Sequence, residues 1–238
     1  MIIYTPPQQG GGSARSVIDR LNVDTDRGVG VVNPIKKERI IGNCRLILGD
    51  AMEVMPLLVK VDAVVTDPPY GIGNKMGGGS WSYKDEMSKW DLVANQEWVD
   101  KILKLNVPSI IWGGNYFITP ASRGWLIWKK PYFPSMADAE MAYTNMDMNT
   151  KIFEFNRADG DKLHPTQKPL PVIQWCIKFL PKETVTILDP FMGSGTTGVA
   201  CAKMGRKFIG IELDEGYFDI ACKRIQQAYD QPDMFIEP

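Results

Sequence analysis

Beyond residue 40, short apolar runs alternate with stretches of helical spacing. Arg45-Leu46-Ile47-Leu48 predicts a buried strand stopping at Gly49-Asp50, and Ala51–Val59 predicts a helix. Val61–Thr66 is a second apolar run, halted by Asp67-Pro68-Pro69-Tyr70-Gly71. Gln96–Leu105 has helical spacing, Ser109–Trp112 and Trp125–Trp128 read as strands, and Glu140–Thr144 with Ile152–Phe155 reads as a pair of late strands. Leu170–Phe179 is a helix following a proline. Val185–Leu188 is a strand, Thr196–Met204 a helix, Lys207–Glu212 a strand and Gly216–Tyr229 a long closing helix. Strands alternating with helices predict an α/β fold with a mostly parallel twisted sheet and helices on both faces.

The flanks read differently. Pro6-Pro7 and Gly10-Gly11-Gly12-Ser13 predict an N-terminal arm over residues 1–40, with a short helical stretch at Ser16–Leu21. Residues 41–230 form the predicted domain, and 231–238 a tail. Inside the domain, 74–91 and 129–163 read as short recognition insertions. The first carries Gly77-Gly78-Gly79 with Trp81, Tyr83 and Trp90.

Composition adds limits. Hydrophobic residues at 44% and charged residues at 23% of 238 are ordinary for one globular domain. No apolar run approaches the ~20 residues that span a bilayer, and the N-terminus lacks signal-peptide order, so a cytoplasmic protein is expected. Cys44, Cys176, Cys201 and Cys222 lack metal-ligand spacing and read as small core residues. A net charge of -1 leaves any nucleic-acid partner to be argued from site chemistry rather than from charge.

Asp189-Pro-Phe191-Met-Gly193-Ser194-Gly195-Thr196-Thr197 lies between an apolar strand and a helix, where glycines let the backbone pass beneath a ligand. Glu212 ends the next strand, positioned to accept hydrogen bonds from the ribose hydroxyls of an adenosine. The spacing Gly193-x-Gly195-x-x-Gly198 also matches a dinucleotide loop. Asp189 tips the reading to S-adenosylmethionine, because its charge suits a cationic ligand and would repel a pyrophosphate.

In Asp67-Pro68-Pro69-Tyr70, two prolines fix φ twice and hold Asp67 extended at a strand end. That rigidity suits amino methylation, since an aromatic amine is a poor nucleophile. Acceptors at the Asp67 carboxylate and the Pro68 carbonyl would hold both amino hydrogens and draw the nitrogen towards tetrahedral geometry. Tyr70 offers a face for an extruded base. The chemistry needs neither a metal nor a covalent nucleophile.

On these residues the chain resembles the amino-methylating DNA methyltransferases, in the group whose catalytic motif precedes the cofactor motif. The resemblance implies a Rossmann-like S-adenosylmethionine-dependent methyltransferase fold acting on double-stranded DNA. Asp67–Tyr70 matches the catalytic motif, and Phe191-x-Gly193-x-Gly195 the cofactor loop. His164-Pro-Thr166-Gln-Lys168-Pro169 is similar to the segment closing over the cofactor's methionine end, and Asp50 to the strand-end acid near its adenine ring. The resemblance further implies that Lys168 or Thr166 contacts the methionine carboxylate. His164, the sole histidine, belongs to that cofactor segment rather than acting as a general base. Asp at the first motif position leans towards adenine N6, with cytosine N4 the alternative. A protein-glutamine or RNA methylase and a non-catalytic DNA-binding module are more distant readings.

Lys75, Lys84 and Lys89 with Trp81 and Tyr83, and secondarily Lys129, Lys130, Arg157 and Lys162, are the expected DNA contacts. Insertions this short imply a short target site or a partner subunit, such as a homodimer's second copy. Gln231-Pro-Asp-Met-Phe235 resembles the tails that dock on a bacterial sliding clamp, with Pro232 departing from the usual leucine. The small size suits a stand-alone or phage-borne enzyme.

Overall fold

The computed structural model describes residues 33–71, 94–130, 137–156 and 167–231. The chain divides into Met1–Asn33 and Pro34–Pro238, and all the elements below lie in the second unit. Its strands are β1 (Lys37–Ile41), β2 (Cys44–Leu48), β3 (Ala63–Thr66), β4 (Ser109–Trp112), β5 (Trp125–Lys129), β6 (Ala139–Thr144), β7 (Lys151–Glu154), β8 (Thr186–Asp189) and β9 (Lys207–Glu212). The helices are α1 (Ala51–Val54), α2 (Gln96–Lys104), α3 (Leu170–Ile177), α4 (Thr196–Lys203) and α5 (Glu215–Asp230).

The strands join into one sheet in the order β1-β2-β9-β8-β3-β4-β6-β5-β7. From β2 through β4 every pairing is parallel. β1 opposes β2, β6 opposes both β4 and β5, and β7 runs parallel to β5. All four residues of β3 and of β4 are buried, as in a sheet covered on both sides. Strand alternation sorts the core into two layers. Leu46, Val65, Ile110 and Trp112 face α3, α4 and α5, where Ile173, Ala200 and Phe218 meet them. Ile47, Val64 and Ile111 face α1 and α2, against Val54, Val99 and Ile102. Burying one such aliphatic or aromatic side chain contributes about 1.5–3 kcal/mol.

Three expectations need correction. The stretch expected to be irregular up to residue 40 contains β1, an edge strand joined to β2 through Gly42-Asn43. Its sequence Lys-Glu-Arg-Ile-Ile hides it, because an edge strand keeps charged side chains at the rim. Glu38 there accepts from Arg45 on β2 at 3.1 Å, and Lys37 reaches Asp219 on α5 at 2.9 Å. The helix expected over Ala51–Val59 stops after one turn and continues as a 3-10 turn at Met55–Leu57, where Pro56 lacks an amide donor. The late strands β6 and β7 do not pair with each other, since β5 lies between them. Other boundaries moved by a residue or two. No described helix is long and apolar enough to cross a membrane.

The order of strands creates the site. β3 leads through α2 to β4 on one side, while β8 leads through α4 to β9 on the other. Adjacent strands whose connections depart in opposite directions open a crevice at their carboxyl ends, where α/β sheets bind ligands. The loops after β3 and β8 are Asp67–Tyr70 and Pro190–Gly195.

Candidate active site at the carboxyl edge of the sheet

After β8 the chain turns through Gly193 (φ +50°) and Gly195 (φ +81°) before entering α4. A Cβ on Gly195 would lie 2.8 Å from that of Ala221, whereas nothing lies within 4 Å of one on Gly193, so the backbone there is open to a ligand. Glu212, ending β9, ties this loop down. Its Oε2 accepts from Gly193 N at 2.9 Å, and its Oε1 from Leu213 N at 2.9 Å and Asp214 N at 2.8 Å. Burial pushes the Glu212 carboxyl up, and these amides work against it. Arg224 on α5 donates to Ser194 O at 2.6 Å, Ser194 Oγ at 2.9 Å and Thr196 Oγ1 at 3.2 Å. Ser194 Oγ also meets Gln167 Oε1 at 3.3 Å. Phe191 packs against Trp98 of α2 at 5.1 Å between ring centroids. Asp50, just beyond β2, caps α1 by accepting from Met52 N at 2.7 Å.

Asp189 is only 3% exposed. One carboxylate oxygen accepts from Thr66 Oγ1 at 2.7 Å and Phe191 N at 3.1 Å, and the Thr197 side chain is bonded to it too. Burial outweighs these donors and raises the carboxyl to about 7. The expectation that Asp189 offers its charge to a ligand therefore loses its basis, because its oxygens are turned inward to join the loops after β3 and β8. The folded state holds this proton more tightly than the unfolded chain, whose value is 3.8, so stability is lost as pH rises from about 4 to about 7. The slope approaches about 1.4 kcal/mol per pH unit, and Asp189→Asn should remove this contribution in denaturant titrations across that range.

The β3 loop presents a tighter cluster. The Tyr70 hydroxyl donates to Asp67 Oδ1, and Lys168 Nζ donates to Oδ2 at 2.6 Å. Lys168 also reaches Tyr70 Oη at 3.2 Å and Glu140 Oε2, on β6, at 3.0 Å. Glu140 pairs in turn with Lys130 at the end of β5. The ammonium sits 5.3 Å from the centroid of the Trp112 ring and 5.5 Å from that of Tyr70. Burial opposes its charge, yet Asp67 and Glu140 together hold Lys168 well above the usual lysine range. Burial would likewise raise Glu140, but Lys168 and Lys130 bring it down to about 2. At Asp67 burial prevails over Lys168 and the carboxyl is pushed up. Tyr116 stacks on Tyr70 with centroids 5.0 Å apart and planes 15° apart.

The structure thus brings Asp67, Tyr70, Asp189, the glycine loop and Glu212 to one edge of the sheet. Lys168, grouped by sequence with the cofactor segment, directs its ammonium at Asp67 and Tyr70 of the loop after β3. His164, Thr166, the loop residues Lys75, Lys84, Lys89, Trp81 and Tyr83, and Arg157 with Lys162 lie outside the described residues, as do residues 1–32 and 232–238. Of the second basic set, Lys129 pairs with Glu154 at 2.9 Å and Lys130 with Glu140. Sequence reasoning missed Glu140, Arg224, Thr66, Tyr116 and Gly113. Only Gly113-Gly114 carried a readable signal, a glycine pair at the end of a strand where backbone approaches a side chain.

A family model described as DNA methylase, of the N6/N4 type, matches residues 111–223. The type II methyltransferase M2.LlaDCHI of Lactococcus lactis subsp. cremoris is 52% identical over 65 residues, 27% of this chain and 24% of that protein. The chain therefore aligns with only about a quarter of that relative's length. The putative methylase YubD of Escherichia coli (strain K12) is 29% identical over 213 residues, covering 79% of this chain and 93% of its own. In fold, the chain is similar to the cytosine-N4-specific PvuII DNA methyltransferase, with a TM-score of 0.56 at 13% identity over 82% of this chain and 95% of that one. Over residues 111–223 the chain is thus similar to the DNA methylases of the N6/N4 type.

Proposed function

We propose that the protein transfers the methyl group of S-adenosylmethionine to an exocyclic amino group of an extruded base in double-stranded DNA, and that this group is adenine N6. The observation that carries the reading is the Asp67 carboxylate at the end of β3, one strand away from the open glycine loop after β8. The cofactor fits the residues present. Gly193 leaves room above its backbone, Asp50 lies at the neighbouring end of β2, and Glu212 keeps acceptor capacity for a ribose hydroxyl beyond its bonds to three amides. When bound, the cofactor supplies a methyl group made electrophilic by its sulfonium. Asp67 Oδ1, held at rest by the Tyr70 hydroxyl, accepts one amino hydrogen and the Pro68 carbonyl the other. As the nitrogen gains the methyl group it loses a proton, for which Asp67 is the nearest base. Tyr70 adds stacking of about 1–3 kcal/mol for the base.

The aspartate at the first motif position favours adenine. Likeness in fold to the cytosine-N4-specific PvuII enzyme keeps N4 transfer as the second reading. Incubation with labelled methyl donor and DNA, followed by nucleoside analysis, tests both. N6-methyladenine is expected, N4-methylcytosine would replace the adenine assignment, and absence of label from DNA would overturn the activity.

A further inference from the structure

We propose that Glu140, which lies on β6 outside every motif, is a positioning residue for Asp67, acting through Lys168. The proposal rests on the methyl-transfer reading above. Lys168 is 6% exposed, and its three ammonium protons have three acceptors: Asp67 at 2.6 Å, Glu140 at 3.0 Å and Tyr70 at 3.2 Å. Without Glu140 the ammonium would settle wholly on Asp67 and Tyr70, and its pull on the carboxylate would weaken Asp67 as an acceptor. Glu140 competes for the same protons from the opposite side. It also cancels a buried positive charge next to a reaction that starts from a sulfonium and builds positive charge on nitrogen. Lys130, Glu140, Lys168 and Asp67 alternate in sign, with the negative end at the reacting site. Lys130 anchors Glu140 at the other end, so the carboxylate is held from both sides.

Among the described residues, the titratable groups facing Lys168 are Asp67 and Tyr70 from the β3 loop, Glu140 from β6 and Cys176 from α3. Lys130 acts on the neighbouring carboxyl of Glu140, and Asp67 on that of Asp189.

The test follows the carboxyl carbon of Asp67 by NMR across pH in the full-length wild type, Glu140→Gln and Lys168→Met, beside the pH profile of kcat. Removing the anion should lower the Asp67 midpoint, and removing the cation should raise it, each by about one pH unit. The acid limb of kcat should move the same two ways. In Glu140→Gln, kcat should fall on the order of 10- to 100-fold with cofactor Kd unchanged, and Glu140→Asp should recover part of it. Glu140→Gln keeps the shape of the side chain; if it fails to fold, Glu140→Asp serves as the second variant, expected to hold the midpoint near that of the wild type while lowering kcat. An Asp67 midpoint that is the same with and without the Glu140 charge, or that moves in the same direction in Glu140→Gln and Lys168→Met, overturns the proposal. So does a kcat in Glu140→Gln equal to that of the wild type. The NMR arm needs neither DNA nor methyl donor, so a wild type inert on DNA would defeat the methyl-transfer reading while the effect of Glu140 on Asp67 was still measured.

Discussion

Replacing Asp67 by Ala is expected to lower methyl transfer by about a thousandfold or more, while cofactor binding stays intact. Two separable sets of contacts underlie that split. The carboxylate belongs to the loop after β3, whereas the glycine loop is held by Glu212 and Arg224 from β9 and α5. The fold should survive, because Lys168 keeps Glu140 at 3.0 Å when Asp67 is removed. Single-turnover methyl transfer and calorimetric cofactor titration measure the two sides. Loss of cofactor affinity in step with activity would show that Asp67 shapes the cofactor loop rather than the acceptor.

The second large effect is expected at Gly113, immediately after β4. Its φ of +66° disfavours a side chain, and an added Cβ would fall within the Tyr70 ring. Gly113→Ala must therefore push Tyr70 away from Asp67 and Tyr116. Overpacking of this kind costs about 1–3 kcal/mol of stability, and displacing the catalytic ring by an ångström should cost on the order of a hundredfold in kcat. Gly205 is a matched control, with the same φ of +66° and nothing within 4 Å of an added Cβ. Gly205→Ala should show only the backbone cost, about 1 kcal/mol, with kcat unchanged. Equal kcat losses in the two variants would sink the steric account.

These contrasts also mark how far the sequence was readable. Central strands such as β3 and β4 are buried at every residue, and their unbroken apolar runs betrayed them at once. β1 did not show, since a strand at a sheet rim needs only one covered edge and tolerates Lys-Glu-Arg. The loops Asp67–Tyr70 and Asp189–Thr197 were legible because proline and glycine announce a special backbone. Glu140 was not. Its meaning comes from standing across the sheet from Lys168, a contact between residues 28 apart in the chain that no local spacing encodes. Lys168 was visible as a motif residue, yet its bonds to Asp67 and Glu140 were not, because they join segments far apart in the chain. Asp189 was read by its charge, whereas burial decides how much of that charge remains at neutral pH.

The hydrogen bond from Thr66 to Asp189 bridges the ends of two strands already in register, Ala63 opposite Ile187 and Val64 opposite Leu188. On the proposed reading, the floor beneath methyl donor and acceptor is thus a single piece of β-ladder. On that reading such a scaffold would work as a fixed gauge: strand spacing would set the gap between the two reacting atoms, and the travel needed to meet would fall to the DNA.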